Sequence, residues 1–161
     1  MVWKLALDLF INVYDSESEL DSISLSLLEE ARKATETAYA PYSQFFVGAA
    51  VLLDDGTVVK GSNQENAAYP SGLCAERTAI FATGANYPQK KINMVAVTAR
   101  RSNESLFIPA NPCGACRQVL SEYENKQNQP IKIIMEGEGG KIYVCDSVNV
   151  LLPLKFSSLN L

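Results

Sequence analysis

The sequence predicts a layered α/β/α domain with a partly parallel sheet, and three observations lead to that prediction. Strand-like and helix-like segments alternate along most of the chain, as in sheets covered by helices. Residues 47–53 and 92–99 are short apolar runs, which are typical of buried strands. The chain has 161 residues, of which 47% are hydrophobic and 20% are charged, so one domain with an ordinary core is expected.

The first segments of the chain predict an extra strand followed by a helix. Residues 3–13 carry apolar side chains at every odd position. This period-two alternation predicts a strand with one buried face, which is either an extra edge strand of the sheet or a contact with another subunit. Residues 15–21 form a polar connector, and apolar side chains then recur at helical spacing over residues 23–38, ending before Pro41. This helix is expected to cover one face of the sheet.

The remaining elements are predicted from apolar runs and from turn and cap residues. A hairpin turn is expected at residues 54–56, and residues 63–72 have the composition of a loop. Gly84 is expected to cap the end of the second helix, and Ser147 to begin a short helix. The five predicted strands of the domain are residues 47–53, 57–61, 92–99, 131–135 and 141–145, and the two further helices are residues 74–83 and 113–125.

Charge and composition disfavour several partners. The net charge is −4, and the sequence has no long basic run, so a polyanionic partner such as nucleic acid is not expected. No apolar run approaches the roughly 20 residues that cross a membrane, and the N-terminal residues are a poor match to a secretory signal. We therefore expect a cytoplasmic protein that acts on a small neutral molecule.

Three of the four cysteines have the spacing of a metal site. Cys113 and Cys116 lie three residues apart, Cys74 lies well upstream, and the chain contains no histidine. A chain of this size does not need disulfides, so we interpret the three thiols as metal ligands. Zinc sites without histidine are built mainly from sulfur, and a catalytic zinc keeps three protein ligands and one open position. The prediction is one zinc ion per subunit.

Two residues next to Cys74 are suited to act with such a metal. Glu76 can handle the protons of a bound water, although on its own it would be interpreted as a first-turn acid favoured by the helix dipole. Three thiolates exceed the charge of Zn²⁺ by one, so the site needs positive compensation. Helix N-termini supply part of it, and Arg77 is predicted to supply more by donating hydrogen bonds to the thiolates. The alternative for Arg77 is an ordinary surface position.

Four motifs follow one another along the chain. They are Pro41-Tyr-Ser-Gln-Phe-Phe-Val-Gly-Ala-Ala50, Gly61-Ser-Asn-Gln-Glu-Asn-Ala-Ala-Tyr69, Cys74-Ala-Glu-Arg-Thr-Ala79 and Pro112-Cys-Gly-Ala-Cys-Arg-Gln118. Together they resemble the free-nucleoside cytidine deaminases, and among them the small homotetrameric type with a three-cysteine zinc site. The likeness runs from about residue 23 to residue 161 and divides the chain into an N-terminal strand-like extension, residues 1–21, and a cytidine deaminase domain, residues 22–161.

The resemblance implies a fold, a reaction and a set of site residues. It implies a three-layer α/β/α cytidine deaminase-like fold with a five-stranded mixed sheet, to which the N-terminal strand is added. It implies hydrolysis of cytidine or deoxycytidine to uridine or deoxyuridine with release of ammonia, in pyrimidine salvage. The implied roles are zinc ligation by Cys74, Cys113 and Cys116, proton transfer by Glu76, contact with the base by Phe45 and the Ala75 backbone, ribose binding by Asn63 and Glu65, and an aromatic contribution from Phe156 of a neighbouring subunit.

Some of these residues have simpler interpretations from composition alone. Asn63 and Glu65 have the character of turn-forming loop residues, and Phe45 and Phe156 that of core aromatics. Phe46 replaces a proline often found in the family, which affects the expected rigidity of that loop.

Other functions stay open at this point. A deaminase of polynucleotide cytosine is disfavoured by the acidic charge, while a deaminase of a related compound, such as a cytosine-bearing antibiotic, is compatible with the motifs. A structural zinc module would need a fourth ligand, for which Cys145 is the available cysteine, but its apolar strand predicts a buried small side chain instead. A dithiol redox protein would use Cys113 and Cys116 without needing Cys74 or Glu76.

Overall fold

The computed structural model describes residues 1–160 and contains a six-stranded mixed sheet. The strand order is β1-β6-β5-β4-β2-β3, in which β4 and β5 run parallel and all other neighbours run antiparallel. The five predicted strands of the domain and the additional N-terminal strand are therefore all present. Their bounds are Asn12–Tyr14 for β1, Phe45–Leu53 for β2, Val58–Ser62 for β3, Ile92–Arg101 for β4, Lys132–Glu136 for β5 and Ile142–Cys145 for β6.

Helices cover both faces of this sheet. Helix α1 (Ser22–Ala34) lies on one face, while α2 (Ala75–Asn86) and α3 (Gly114–Gln127) lie on the other. Successive side chains of a strand point to opposite faces. In β2, accordingly, Ala50 packs with the residues of α1, and Ala49 packs with those of α2 and α3. The three-layer α/β/α architecture is confirmed. Within the described chain, no helix combines the length and apolarity that a membrane span requires.

A glycine brings α2 close to the sheet. A Cβ atom at Gly61 of β3 would lie 2.4 Å from the backbone nitrogen of Ala79 and 2.6 Å from the backbone oxygen of Ala75, both in α2. A Cβ atom does not approach other heavy atoms that closely, so a side chain here would push the helix away. Gly61 therefore fixes where α2 begins relative to β3, which matters because Cys74 immediately precedes that helix.

A buried carboxylate holds α3 to the end of the sheet. Glu124 is buried, and its Oε1 accepts hydrogen bonds from the backbone N–H of Ile131 (2.8 Å) and of Val148 (3.0 Å). Its Oε2 accepts a hydrogen bond of 3.0 Å from Ser147 Oγ. The first of these donors leads into β5, and the other two follow β6. One side chain thus joins α3 to two strands at once.

The predicted end of the second helix is wrong. Gly84 was expected to cap it, but α2 continues to Asn86, and Tyr87 is the C-cap residue. The reason is a tertiary contact, because a Cβ at Gly84 would lie 2.2 Å from the hydroxyl oxygen of Tyr123 in α3. This glycine therefore makes room for a tyrosine of the neighbouring helix and does not end its own.

The predicted extent of the N-terminal strand is also wrong, although an edge strand is present. Only Asn12–Tyr14 pairs with β6, and all of residues 1–13 are exposed, so no face of that segment is buried. Asn12 pairs with Val144, and β6 ends at Cys145. Residues before position 11 therefore run past the end of β6, and none of them pairs with another strand within residues 1–160.

Replacement of Glu124 by alanine should destabilise the protein by about 3 kcal/mol. The substitution leaves two backbone N–H groups and one hydroxyl without their acceptor in a buried place, and each such loss costs about 1–3 kcal/mol before relaxation or water entry. Equilibrium unfolding in urea measures the effect. The matched control is Glu122→Ala, an exposed residue of the same helix, which should change the free energy of unfolding by less than about 0.5 kcal/mol. Similar losses in both variants would contradict the role given to Glu124.

Candidate functional site

Two helix N-termini bring three thiols together. Cys74 is the N-cap residue of α2 and Cys113 is that of α3, and neither side chain caps its own helix. Cys116 lies in the first turn of α3 and is fully buried. The Sγ atoms of Cys74 and Cys113 are 3.7 Å apart, those of Cys113 and Cys116 are 3.5 Å apart, and all three lie within 4.8 Å of one another. The predicted cluster is therefore assembled by the fold.

The geometry of the cluster fits a zinc ion. Zinc binds thiolate sulfur at about 2.3 Å in tetrahedral sites, which places neighbouring sulfurs about 3.8 Å apart. The sulfur–sulfur distances of 3.7 and 3.5 Å are close to that value. Cys145 does not belong to the cluster; it is buried in the core, and burial raises the pKa of its thiol to about 11. Among the described residues, no fourth cysteine therefore closes the site, as a structural zinc would require.

Charge around the cluster favours a thiolate at Cys74. The hydrogen bond from the Cys116 thiol, followed by one from Arg77, lowers the pKa of Cys74 to about 5. Contact with Cys74, together with burial, raises the pKa of the Cys116 thiol. Arg77 donates from Nη2 to Cys74 Sγ at 3.5 Å. The contact predicted for Arg77 is thus present, and its guanidinium places a fixed positive charge beside the sulfurs.

Glu76 lies in the first turn of α2 with only 4% of its surface exposed. Burial is the largest cause of the raised pKa of its carboxyl group. Because desolvation disfavours the charged form, this carboxyl holds a proton more readily than an exposed glutamic acid does. A buried carboxyl of this kind is suited to taking up and releasing protons in a reaction.

A cavity of about 470 Å³ opens beside the cluster and contains most of the predicted site residues. Phe45, Asn63 and Glu65 come from β2 and from the loop after β3, while Cys74, Glu76 and Cys113 come from the starts of α2 and α3. The sequence placed these two groups far apart along the chain, and the fold brings them around one space. The cavity is lined by Ser43, Phe45, Val47, Asn63, Glu65, Cys74, Glu76, Ala110, Asn111 and Cys113.

Asn63 holds the first residues of β2 in place. Its Oδ1 accepts a hydrogen bond of 2.8 Å from the N–H of Val47, and its Nδ2 donates one of 2.9 Å to the carbonyl oxygen of Phe45. These two bonds fix the backbone on both sides of Phe46 and so position the ring of Phe45 at the cavity. Asn63 therefore positions the start of β2, in addition to having the character of a turn-forming loop residue.

Glu65 performs a similar task for the loop before β2. It accepts hydrogen bonds from the backbone N–H of Tyr42 (2.9 Å) and of Ser43 (3.3 Å), and another from Ser43 Oγ. The hydroxyl of Ser43 is the main cause of the lowered pKa of Glu65. The carboxylate is thus ionised at the cavity wall, with its orientation fixed by the chain itself.

Two of the predicted substrate-binding residues do not line this cavity. Ala75 is fully buried as the first residue of α2, and Phe156 is 58% exposed in the C-terminal segment, where its carbonyl oxygen accepts a hydrogen bond of 3.1 Å from Gln118 Nε2. Phe46 lies inside β2 opposite Arg100, and its ring is 5.3 Å from that guanidinium. The expected loss of loop rigidity at Phe46 does not apply, because the residue is held in a strand.

Sequence reasoning gave no role to Arg117, which anchors the second cysteine segment. Its Nε donates to the carbonyl oxygen of Pro112 at 2.7 Å, and its Nη1 donates to that of Leu151 at 2.8 Å. The loop that presents Cys113 is thereby joined to the C-terminal part of the chain. Its position directly after Cys116, within a recognised motif, was the signal that could have revealed this role.

Replacement of Arg77 by alanine should weaken zinc binding by about tenfold, the lower end of the effect of losing a residue that supports a metal ligand. The variant loses the hydrogen bond and the charge that favour the Cys74 thiolate. Competition with a chromophoric chelator measures the affinity. Arg101→Ala, which removes an exposed arginine of β4, is the matched control and should leave the affinity unchanged. If both variants bind zinc as the parent does, Arg77 contributes nothing to the metal site.

Comparison with known proteins agrees with this geometry. Residues 22–129 match the family model described as "Cytidine and deoxycytidylate deaminase zinc-binding region". A cytidine deaminase of Halalkalibacterium halodurans is 47% identical over 96 residues, which cover 60% of this chain and 68% of the relative. A cytidine deaminase of Mycobacterium tuberculosis is 43% identical over 96 residues, covering 58% of this chain and 65% of the relative.

Solved structures give the same result. A cytidine deaminase from Burkholderia pseudomallei superposes with a TM-score of 0.67 at 39% identity, covering 81% of this chain and 97% of that one. The M. tuberculosis enzyme superposes with a TM-score of 0.63 at 32% identity, covering 82% of this chain and 95% of that one. The family match spans both cysteine segments, the buried glutamate and the cavity wall: the chain belongs to the zinc-binding cytidine and deoxycytidylate deaminase family.

Proposed function

We propose that this chain catalyses the hydrolytic deamination of cytidine and deoxycytidine. One water molecule is consumed, the exocyclic amine leaves as ammonia, and the products are uridine and deoxyuridine. The observation that carries the proposal is that the three-sulfur cluster and the buried carboxyl of Glu76 open into one cavity of about 470 Å³. That volume lies within the range of pockets that hold small molecules.

Glu76 is the proton carrier of this proposal. A bound zinc ion supplies Lewis-acid chemistry that makes water a better nucleophile. Glu76 takes one proton from the attacking water and delivers it to the ring nitrogen, then takes the remaining proton of the added oxygen and delivers it to the departing amine. Burial supports this role, because it raises the pKa of the Glu76 carboxyl and so makes both protonation states accessible.

The remaining cavity residues orient the nucleoside. The ring of Phe45 lies beside the base, and Asn63 and Glu65 bind the ribose hydroxyls. The Ala75 backbone contacts the base at the start of α2. Cys74, Cys113 and Cys116 hold the metal, and Arg77 stabilises their negative charge. In support, Phe45, Asn63, Glu65 and Glu76 line the same cavity as two of the cysteines.

The proposal extends to assembly, domain organisation and location. Residues 22–161 act as the catalytic domain and residues 1–21 as an extension, with residue 161 outside the described part of the chain. The enzyme works as a homotetramer in which Phe156 of one subunit completes the site of another. The exposure of Phe156 outside its own cavity supports such a contribution. The reaction serves pyrimidine salvage in the cytoplasm, where the ligand cysteines stay reduced.

The Glu76→Gln variant should lose turnover by about 10³- to 10⁴-fold, because glutamine cannot carry the transferred protons. Its zinc content should equal that of the parent, since Glu76 is not among the three clustered ligands. Steady-state kinetics with cytidine and metal analysis of the same sample give both values. Glu122→Gln serves as the control and keeps full activity. Turnover retained by Glu76→Gln would remove this residue from the chemistry.

Purified protein should convert cytidine and deoxycytidine in a chelator-sensitive reaction. The measurement follows the loss of the cytosine absorbance band and the release of ammonia, with metal content determined in parallel. Removal of zinc with a strong chelator should abolish turnover, and added zinc should restore it. Stoichiometric zinc without turnover of either nucleoside would contradict the proposal. It would favour either a related cytosine compound as the substrate or a non-catalytic zinc module.

A further inference from the structure

The N-terminal arm, residues 1–11, is the largest exposed apolar feature among the described residues that neither the fold nor the proposed reaction uses. Trp3 and Phe10 each expose 78% of their surface, and Leu5, Leu7 and Leu9 are also exposed. Contiguous apolar surface of this kind marks an interaction site in a folded protein. We therefore expect a binding partner to cover the arm.

Its sequence alternates as a strand does, yet its own sheet offers it no partner. Residues 3–11 carry apolar side chains at each odd position. The antiparallel pairing of β1 with β6 stops near Cys145, where β6 ends. Residues 3–11, which precede β1 along the chain, therefore extend beyond the sheet. The outer edge of β1 is also open, because β1 is the first strand of the sheet. Open edges and unpaired strand segments take up a further strand readily.

The charges of the arm indicate which strand fits. Lys4 and Asp8 form no ion pair within residues 1–160. In an antiparallel pair between two copies of the arm, centred on Ala6, each Lys4 lies directly opposite the other copy's Asp8. No other two-fold register places these charges opposite each other. Facing opposite charges stabilise a strand pair, and facing like charges destabilise it.

The apolar residues fit the same register. Pairing centred on Ala6 sets Trp3 opposite Leu9 and Leu5 opposite Leu7, so the odd positions of both copies form one continuous apolar face. Leu7 and Leu9 already border a cavity of about 480 Å³ whose other wall includes Leu152 and Leu154. The C-terminal segment can therefore receive part of that face.

We propose that residues 3–9 form a strand by pairing antiparallel, in the register centred on Ala6, with the same residues of a second copy of this chain. The contact is isologous, so it closes on two copies and leaves no arm free. A polyanion or an anionic lipid surface is a poorer occupant, because the chain carries a net charge of −4 and the arm contains one lysine and one aspartate. The inference does not depend on the proposed reaction.

A cysteine at the symmetry axis tests the register. In the proposed pair the two Ala6 Cα atoms lie about 4.5–5.5 Å apart, within the range of a disulfide. The full-length, zinc-loaded Ala6→Cys variant should therefore form a covalent dimer with oxidised glutathione, and peptide mapping should locate the bond between the two introduced cysteines. Phe10→Cys is the control, because its two copies would lie roughly 27 Å apart at about 3.4 Å per residue. It should form no such dimer.

A charge series then separates pairing from chance collision of exposed thiols. Adding Lys4→Glu to Ala6→Cys puts two like-charge pairs in the strand and should lower the crosslinking rate by about fivefold. Adding Asp8→Lys to that double variant restores opposite charges, and the rate should recover. Zinc content and deamination should stay unchanged throughout, because the arm does not line the cavity.

Three results would overturn the inference. Equal crosslinking of Ala6→Cys and Phe10→Cys would mean that the two arms do not pair in a fixed register. A crosslinking rate that stays the same throughout the charge series would mean the same. Absence of the disulfide, combined with co-flotation of the full chain with phosphatidylcholine vesicles, would assign the arm to a lipid surface instead of a second copy.

Discussion

The meeting of two helix N-termini at one point beside the sheet is the constraint on which the site depends. Cys74 and Cys113 are the N-cap residues of α2 and α3, and neither side chain makes a capping hydrogen bond to its own helix. The positive ends of both helices therefore face the sulfurs, where they favour the thiolate form. The supports lie elsewhere in the fold: Gly61 sets the approach of α2 to β3, and Glu124 fixes α3 to the end of the sheet.

The charge of the cluster explains why Arg77 and Glu76 lie where they do. Three thiolates with one Zn²⁺ leave one excess negative charge, and a more negative metal site makes bound water less acidic. Arg77 and two helix N-termini, each equivalent to roughly half a positive charge, offset that excess. A second full negative charge at Glu76 would add to it. Burial raises the pKa of the Glu76 carboxyl, so the carboxylate that accepts a proton from water passes more readily to its neutral form than an exposed glutamate does.

The sequence predicted the chemistry of the site better than its geometry. Cysteine spacing, the absence of histidine and four motifs were sufficient for the metal cluster, because ligand chemistry depends on residue type. Gly84 was misjudged because its role is set by Tyr123, a residue of another helix that no local pattern reveals. Glu124 had no signal at all, since the three donors it satisfies come together only in the folded chain.

The N-terminal segment was misjudged for a different physical reason. Its alternation indicates what a strand would bury, but a strand also needs a neighbour in register. The neighbour β6 ends at Cys145, close to where the pattern of residues 3–11 begins. The periodicity of residues 3–11 indicates a capacity to pair as a strand, and within the described residues only Asn12–Tyr14 finds a neighbouring strand.

The cavity walls show how such a site is organised before a ligand binds. Asn63 and Glu65 already make hydrogen bonds to the chain, which fix their positions without any ligand. Their capacity is not exhausted. The amide nitrogen of Asn63 has two N–H groups and uses one, and a carboxylate such as Glu65 offers about four acceptor positions, of which three are used. In the proposed ribose contact, sugar hydroxyls would join the existing bonds without breaking any, and the cost of ordering these side chains would already be met during folding.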